Sequence, residues 1–287
     1  MYYIELLTLG LIDGSMYALM AIGLTMIYGL LRVLHVAHAG VFVLGAFVGV
    51  FVTNATGSFV LGFLLAVPLG GLLGIAIYRF IYQPLLDKSP VVPLIASIGL
   101  FILMEDAYRL IFGPYGETYT TPPMSATFNM AGISLSAVQI AMVAISVLFL
   151  SGFAIFISRT RIGVAWRATV SEPEMAASFG VDPIKVRYFN FLIGSILAAV
   201  AGVMVGVLNN LVEPTMGFVV SYKTLAIIVL GGLGSVRGTL IASFGLGIIE
   251  AFGTIFIGHI LDRDAIAFLF LIVVLMIRPQ GLLGQRA

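Results

Sequence analysis

Residues 189–212 run for about 24 positions without a charge, and the centre of the stretch, FLIGSILAAVAGVMVGVL, is apolar on every face. A helix at the surface of a soluble protein keeps one polar face. A helix that is apolar all round and spans roughly 20 residues fits the hydrocarbon core of a bilayer. A transmembrane β-barrel would instead show segments of ~10 residues with strict alternation, and this chain has none of that pattern. The expected class is therefore an all-α integral membrane protein. Composition agrees: 61% of the residues are hydrophobic and 9% charged, against roughly 25% charged in soluble domains. No polar stretch is long enough for a separate soluble domain, so 1–287 reads as a single transmembrane domain. The net charge of +1 argues against a nucleic-acid partner. The absence of cysteine excludes disulfides and thiolate metal or redox sites. MYYIELLTLGLIDG has neither the basic start nor the cleavage pattern of a signal peptide, so the first apolar segment is expected in the mature protein.

Apolar segments fall at about 5–30, 40–53, 58–78, 90–112, 137–158, 189–211, 217–236, 238–258 and 264–277. Nine is an upper count. The segments 40–53 and 264–277 are short for a full crossing, so eight to nine transmembrane or half-membrane helices are expected, some of them broken. Loop charge gives the orientation. Segment 159–188 carries Arg159, Arg161, Arg167, Lys185 and Arg187. The turn 79–88 carries Arg79 and Lys88, and the tail Arg278 and Arg286, whereas 113–136 has no Lys or Arg at all. The turn at 79–89, the loop at 159–188 and the C-terminus are thus expected in the cytoplasm, with 113–136 and the N-terminus outside.

The stretch Gly10 to Gly45 places Asp13, Arg32, His35 and His38 inside or at the edges of an otherwise apolar run rich in glycine. An Asp or Arg at the centre of a span costs about 2.5–3.5 kcal/mol on insertion scales, and such groups mark solute or ion paths. His35 and His38 share a face if that backbone is helical. Two histidines are too few for a metal site, and His259 lies near an external loop, so no metal is expected. Either imidazole could instead satisfy a backbone carbonyl at a helix break. GGLGSVRG (231–238) lacks the GK[ST] ending of a P-loop and follows no strand. Its glycines serve close helix packing, a broken helix beside a solute path, or both. Asp13 and Glu213 near external ends either line a vestibule or mark the water interface. Glu105 and Arg109, at i and i+4, read as an ion pair within a span.

The loop 159–188 has a legible grammar. Ser171-Glu172-Pro173-Glu174 reads as a capping box with Pro in the first turn. A short helix follows over 172–179, Gly180 is its natural C′ residue, and Asp182-Pro183 starts the next helix. Such a helix at a cytoplasmic surface is a docking element or an ordinary solvated connection. Glu174, Ala176 and Gly180 stand at offsets 0, 2 and 6, which resembles the EAA-type loop of ABC importer permeases. RATVSEPEMAASFGVDPIKV (167–186) is more specifically similar to the branched-chain amino acid permease family, the LivH/LivM type. So are DGSMYALMAIGLTMIYG (13–29), HVAHAGVFVLGAF (35–47), PLIASIGLFILMEDAYRLIFG (93–113) and TLAIIVLGGLGSVRGTLIASFGLGIIE (224–250). The resemblance covers essentially the whole chain in order. It departs at His35 and Ala39, where the family pattern N-x-A-H-G has Asn and Gly, and this puts the usual solute of the family in question.

The resemblance implies a non-catalytic permease subunit in a bacterial inner membrane. Its implied partners are a second, related permease (in a heterodimer or homodimer), two cytoplasmic ATPases that hold ATP and Mg, and a periplasmic or lipid-anchored solute-binding protein. This chain itself is expected to bind no cofactor. Coupling to the ATPases would fall to Arg167, Glu172, Glu174, Ala176, Ala177 and Gly180. The solute path would pass His35, His38, Gly40, Glu213, Gly231, Gly232, Gly234 and Ser235. Branched-chain amino acids, urea, short amides and aromatic acids are all possible solutes. An intramembrane protease would want a serine–histidine pair or two facing aspartates; Ser235 stands alone and no aspartate pair is evident. A stand-alone carrier would have no use for a capped docking helix.

Overall fold

The computed structural model describes residues 2–130 and 133–283; Arg286, one of the cations expected on the cytoplasmic side, lies outside the described residues. The helices run α1 (Tyr2–Leu31), α2 (His38–Thr56), α3 (Phe59–Ile77), α4 (Val91–Phe112), α5 (Ala137–Arg159), α6 (Arg161–Ser171), α7 (Pro173–Ser178), α8 (Pro183–Asn209), α9 (Met216–Gly231), α10 (Val236–Phe256) and α11 (Arg263–Ile277). Helix α3 continues through a π turn at Tyr78–Tyr82 and a 3-10 turn at Gln83–Leu85. Among the described residues, seven helices are long and apolar enough to cross a bilayer, and α9 is a shorter apolar helix. The all-α polytopic class expected from the sequence is the class observed.

Helices α1 and α8 are mostly buried and form the centre, with α2 and α3 packed on α8 and on each other, and α10 laid along α1. Lipid gives helices no hydrophobic reason to associate, so close backbone approach does the work. A methyl added at Gly45 would stand 2.5 Å from the Ala199 carbonyl oxygen, and one at Gly23 2.7 Å from that of Gly194. Both contacts bring a neighbouring helix onto α8.

Two ends are distinct. At one, the Tyr188 hydroxyl donates to Gln83 Oε1 at 2.9 Å, and Gly29, Val170, Ser235 and Pro279 wall one cavity. The basic loops 79–88 and 159–188 thus share an end with the 278–283 tail. At the other end, Glu117 pairs with Val212 in an antiparallel bridge, and Asn54 Nδ2 donates to the Thr118 carbonyl at 2.9 Å. A two-stranded antiparallel hairpin, β1 (Thr127–Met130) with β2 (Ile133–Ser136), registers Thr127 on Ser136 and Met130 on Ile133. Sequence reading missed it, since its turn signals merge into a generally polar loop.

Three local expectations change. The segment read as 40–53 is a 19-residue helix; Thr53, Asn54 and Thr56 had hidden its outer turn. A further helix, α6, fills 161–171 with Gly163, Trp166 and Thr169 buried. It takes Ser171 as its last residue, so the capping box at 171–174 does not form. Glu172 is instead the N-cap of α7 and makes no side-chain capping bond. The other end is as expected: Gly180 has φ +83°, with Gly180 N–H donating to Ala177 and Val181 N–H to Ala176, a Schellman closure. Asp182 caps α8, accepting from the Ile184 and Lys185 N–H groups at 2.9 and 3.2 Å. Those donors, Lys185 first, hold its carboxyl below the ordinary aspartate range.

Candidate functional site

Helix α1 ends at Leu31, and Arg32 follows with φ 54° and its N–H on the Tyr28 carbonyl. Residues 32–37 then turn back into the protein without continuing the helix. A methyl at Gly23 would lie 3.0 Å from His38 Nε2. Helix α2 therefore begins eight residues back along α1, about 12 Å from its end at 1.5 Å per residue. Facing this re-entrant segment is α9, whose Ser221, Thr224, Leu225 and Val229 follow one helical face. Three cavities lie along the seam between them. The first, around His35, His38, Ser221 and Thr224, has room for about one water molecule. The second, of about 280 Å³, is bounded by Leu34, Val33 and Val229. The third, of about 580 Å³, opens at the end that carries the basic loops and is bounded by Arg32, Gly234 and Ser235. The seam is thus shut around the histidines and open toward the basic end.

His35 is fully buried, its Nδ1 2.8 Å from the Tyr82 hydroxyl and 3.4 Å from the Ser97 hydroxyl, which also accepts the Ala37 N–H at 3.1 Å. Its ring stands 5.8 Å from that of His38 and 5.3 Å from that of Phe191. His35 Nε2 and both His38 nitrogens have no side-chain partner among the described residues, and the Met20 carbonyl stands beside His38. Buried imidazole nitrogens normally have one, so these atoms have capacity left for water or a passing polar group.

The other residues assigned to a path do not gather at one point. Gly40 adjoins Met104, and its carbonyl accepts from the Tyr108 hydroxyl at 3.0 Å. Glu213 is exposed at the far end beside the Glu117–Val212 bridge. Gly231 closes α9 against α10, since a methyl there would stand 2.5 Å from the Gly238 carbonyl carbon. Gly232 and Gly234 have φ of +98° and +84°. Ser235 caps α10, accepting from the Gly238 N–H at 3.2 Å. The carbonyls that end α9 are used: the Leu282 N–H donates to Leu230 and the Leu283 N–H to Gly231. Close packing and a helix break coexist in this motif.

In the loop 159–188, Glu172, Glu174, Ala177 and Gly180 are exposed while Ala176 is buried. Met175 and Phe179 are 60% and 83% exposed, two apolar projections on a solvated helix. Arg167 donates to the Ile157 carbonyl at 2.5 Å and so caps α5. Trp166 Nε1 donates to Asn190 Oδ1, and Asn190 Nδ2 to the Met26 carbonyl, each at 3.0 Å. That relay ties α6 to α8 and α1.

Sequence reading missed an ionic cluster. Lys223 Nζ lies 3.0 Å from Glu250 Oε1 and 2.9 Å from Asp264 Oδ1. Arg263 reaches Glu250 Oε2 and Asp13 Oδ2, each at 2.5 Å, and the Tyr17 hydroxyl donates to Glu250 Oε2 at 2.7 Å. Lys223 and Glu250 are buried. The signal was available: Lys223 is the single charge in α9, and Glu250 is the single acid in α10. The expected Glu105–Arg109 pair forms at 2.9 Å, with Asp106 joining it at 2.9 Å.

A polytopic helical bundle with a re-entrant break facing a short apolar helix defines a membrane permease. The model of the family described as "Branched-chain amino acid transport system / permease component" matches residues 6–278, and the chain belongs to that family. It is 33% identical over 297 residues to the high-affinity branched-chain amino acid transport system permease protein BraD of Pseudomonas aeruginosa, covering 99% of this chain and 96% of that one. It is 30% identical to LivH of Escherichia coli with the same coverage. It is 26% identical to LivM of Escherichia coli, covering 93% of this chain and 67% of that one. Among solved structures, PsaBC from Streptococcus pneumoniae in complex with Fab aligns with a TM-score of 0.54 at 14% identity, over 98% of this chain and 93% of that one. That likeness concerns the fold alone.

Proposed function

We propose that this chain is one transmembrane subunit of an ABC importer for branched-chain or similar aliphatic amino acids. The observation that carries the reading is the full-length family match, joined to a well-closed helix, α7, that exposes Met175 and Phe179 beside Glu172 and Glu174. Exposed apolar side chains on a short solvated helix suit a protein partner. That partner would be a cytoplasmic ATPase, which would hold ATP and Mg; this chain would bind neither. A second, related permease would complete the path opposite the seam of 32–39 and α9, and an external binding protein would deliver the solute. Loop charge supports a bacterial inner-membrane orientation with the basic end and the C-terminus cytoplasmic.

Alternating access follows from the same elements. Movement of α7 would pass to α6 and, through Trp166 and Asn190, to α1 and α8. Helix α1 leads into the re-entrant segment and α2 packs on α8, so the seam would open or shut around His35 and His38. The test is reconstitution with the partner subunits and uptake of a solute panel: leucine, isoleucine and valine against urea, short amides and aromatic acids. Uptake headed by a solute outside the aliphatic amino acids overturns the solute assignment, and failure to assemble with ATPases overturns the importer.

A further inference from the structure

The geometry points to a binding site for small aliphatic carboxylates at the basic end of the seam, centred on Arg32. It rests on the proposed function only in naming the transported amino acid as one such ligand. The first observation is the backbone. Arg32 occupies the C′ position of α1 in the left-handed region, φ 54°, where glycine or asparagine is the usual residue. A non-glycine residue held there stores strain, a condition found at functional positions. The second is charge. Arg109, Lys185, Lys223 and Arg263 all have carboxylate partners. Arg32 is exposed and its guanidinium, like those of other exposed cations such as Lys88 and Arg161, has no partner among the described residues; what sets it apart is that it lines two cavities with no acidic residue among their described lining.

The third observation is shape. Arg32, Val229 and Leu233 form a wall common to both cavities. On one side lies the 280 Å³ space faced by Leu34 and Leu94; on the other lies the 580 Å³ space with the polar side chains of Ser171, Ser235 and Gln280. Both are of the order of small-molecule pockets, about 300–1,000 Å³. An aliphatic chain on the apolar side would bring its carboxylate to the guanidinium, which suits planar two-point contact. An ammonium group would find no anion among the described lining residues. The site therefore recognises the carboxylate and the hydrocarbon and ignores the amine.

The larger cavity is walled by the end of α1, the α9–α10 turn, the tail at 279–283 and Ser171, two residues before α7. A ligand there touches the elements through which α7 would act. Occupancy by accumulated product would restrain them and slow turnover.

The probes are 4-methylpentanoate, L-leucine and L-leucinamide, which lacks the carboxylate. The first readout is binding to the purified chain by saturation-transfer NMR. 4-Methylpentanoate and leucine should bind comparably, and leucinamide should not. Arg32→Gly, which suits the backbone, should weaken binding roughly tenfold, as expected for loss of one charge-assisted contact; Arg32→Lys should retain part of it. Equal binding by wild type and Arg32→Gly, or by leucinamide and leucine, overturns the site. The second readout is solute-stimulated ATPase of the assembled importer in vesicles with the ATPases outward. 4-Methylpentanoate added to the bath should inhibit wild type and spare Arg32→Gly. An effect of Arg32→Gly confined to phosphatidylglycerol vesicles, absent in phosphatidylcholine and unmoved by carboxylates, would assign the guanidinium to a lipid headgroup and overturn the proposal. Binding without any solute-stimulated ATPase in wild type leaves the site standing and rejects the importer.

Discussion

Lys223 Nζ and Glu250 Oε1 meet at 3.0 Å between α9 and α10, and both residues are buried. Breaking an isolated buried pair costs about 3–5 kcal/mol; here Glu250 keeps Arg263 and Tyr17 when Lys223 is lost, and Lys223 keeps Asp264 when Glu250 is lost, so each single loss should fall below that range. Lys223→Met and Glu250→Gln should each lower the thermal midpoint of the purified protein. The double variant should cost less than the sum, because each single variant already breaks the shared Lys223–Glu250 contact; strict additivity would show that the pair does not act as a unit.

The sidedness of the protein follows from loop charge and is open to direct measurement, since the native chain has no cysteine. A membrane-impermeant maleimide added outside should label Ser125→Cys and spare Ser171→Cys in sealed right-side-out vesicles. The reverse pattern would invert the orientation.

Gly180, at φ +83°, closes α7. A branched residue there must adopt a backbone disfavoured by about 1–2 kcal/mol, so Gly180→Val should loosen the end of the helix. Glu174→Lys reverses an exposed charge on the same helix. Both should lower solute-stimulated ATPase or co-purification with the ATPases at least severalfold while solute affinity of the binding protein stays unchanged. Normal transport by both variants would falsify the docking role of α7.

His35 bonds to Tyr82 and faces the closed point of the seam. Asparagine is shorter and leaves the Tyr82 hydroxyl unpaired, a cost of about 1–3 kcal/mol for a buried group. His35→Asn should therefore reduce stability and shift the ranking of solutes in the uptake panel, whereas Tyr82→Phe should reduce stability alone. An unchanged ranking in His35→Asn takes the imidazole out of solute selection.

The spans were legible because burial in lipid is a compositional demand: 189–212 can be little else. Boundaries were less so. Asn54 satisfies its amide on the Thr118 carbonyl and the Thr120 N–H, and Thr56 its hydroxyl on the Val52 carbonyl at 2.7 Å, so these polar residues look like loop in sequence although they belong to α2. Ser171 fitted a local capping pattern, yet α6 claims it because burial of Trp166 and its bond to Asn190 extend the preceding helix. The ionic cluster joins Asp13 to Arg263 across 250 positions; each charge is visible singly, but partnership is a property of the folded bundle. The seam is of the same kind. His35 was conspicuous as an ionisable group in an apolar run, while Ser221 and Thr224 became relevant only once α9 was set against it.

The return of the chain after Arg32 also bears on how the protein is made. The backbone of 32–37 has left helical geometry within the membrane, where an unpaired N–H is costly. The Ala37 N–H finds its acceptor on Ser97 of α4, and the His35 ring nitrogen Nδ1 pairs with the Tyr82 hydroxyl. Neither partner exists when the ribosome has just delivered α1 and α2. The first hairpin therefore cannot settle as it leaves the translocon. Its last pairing waits until Ser97 has been synthesised, about forty residues beyond the end of α2 at Thr56. Biogenesis of this protein should accordingly be sensitive to lesions in α4 well before any transport step is reached.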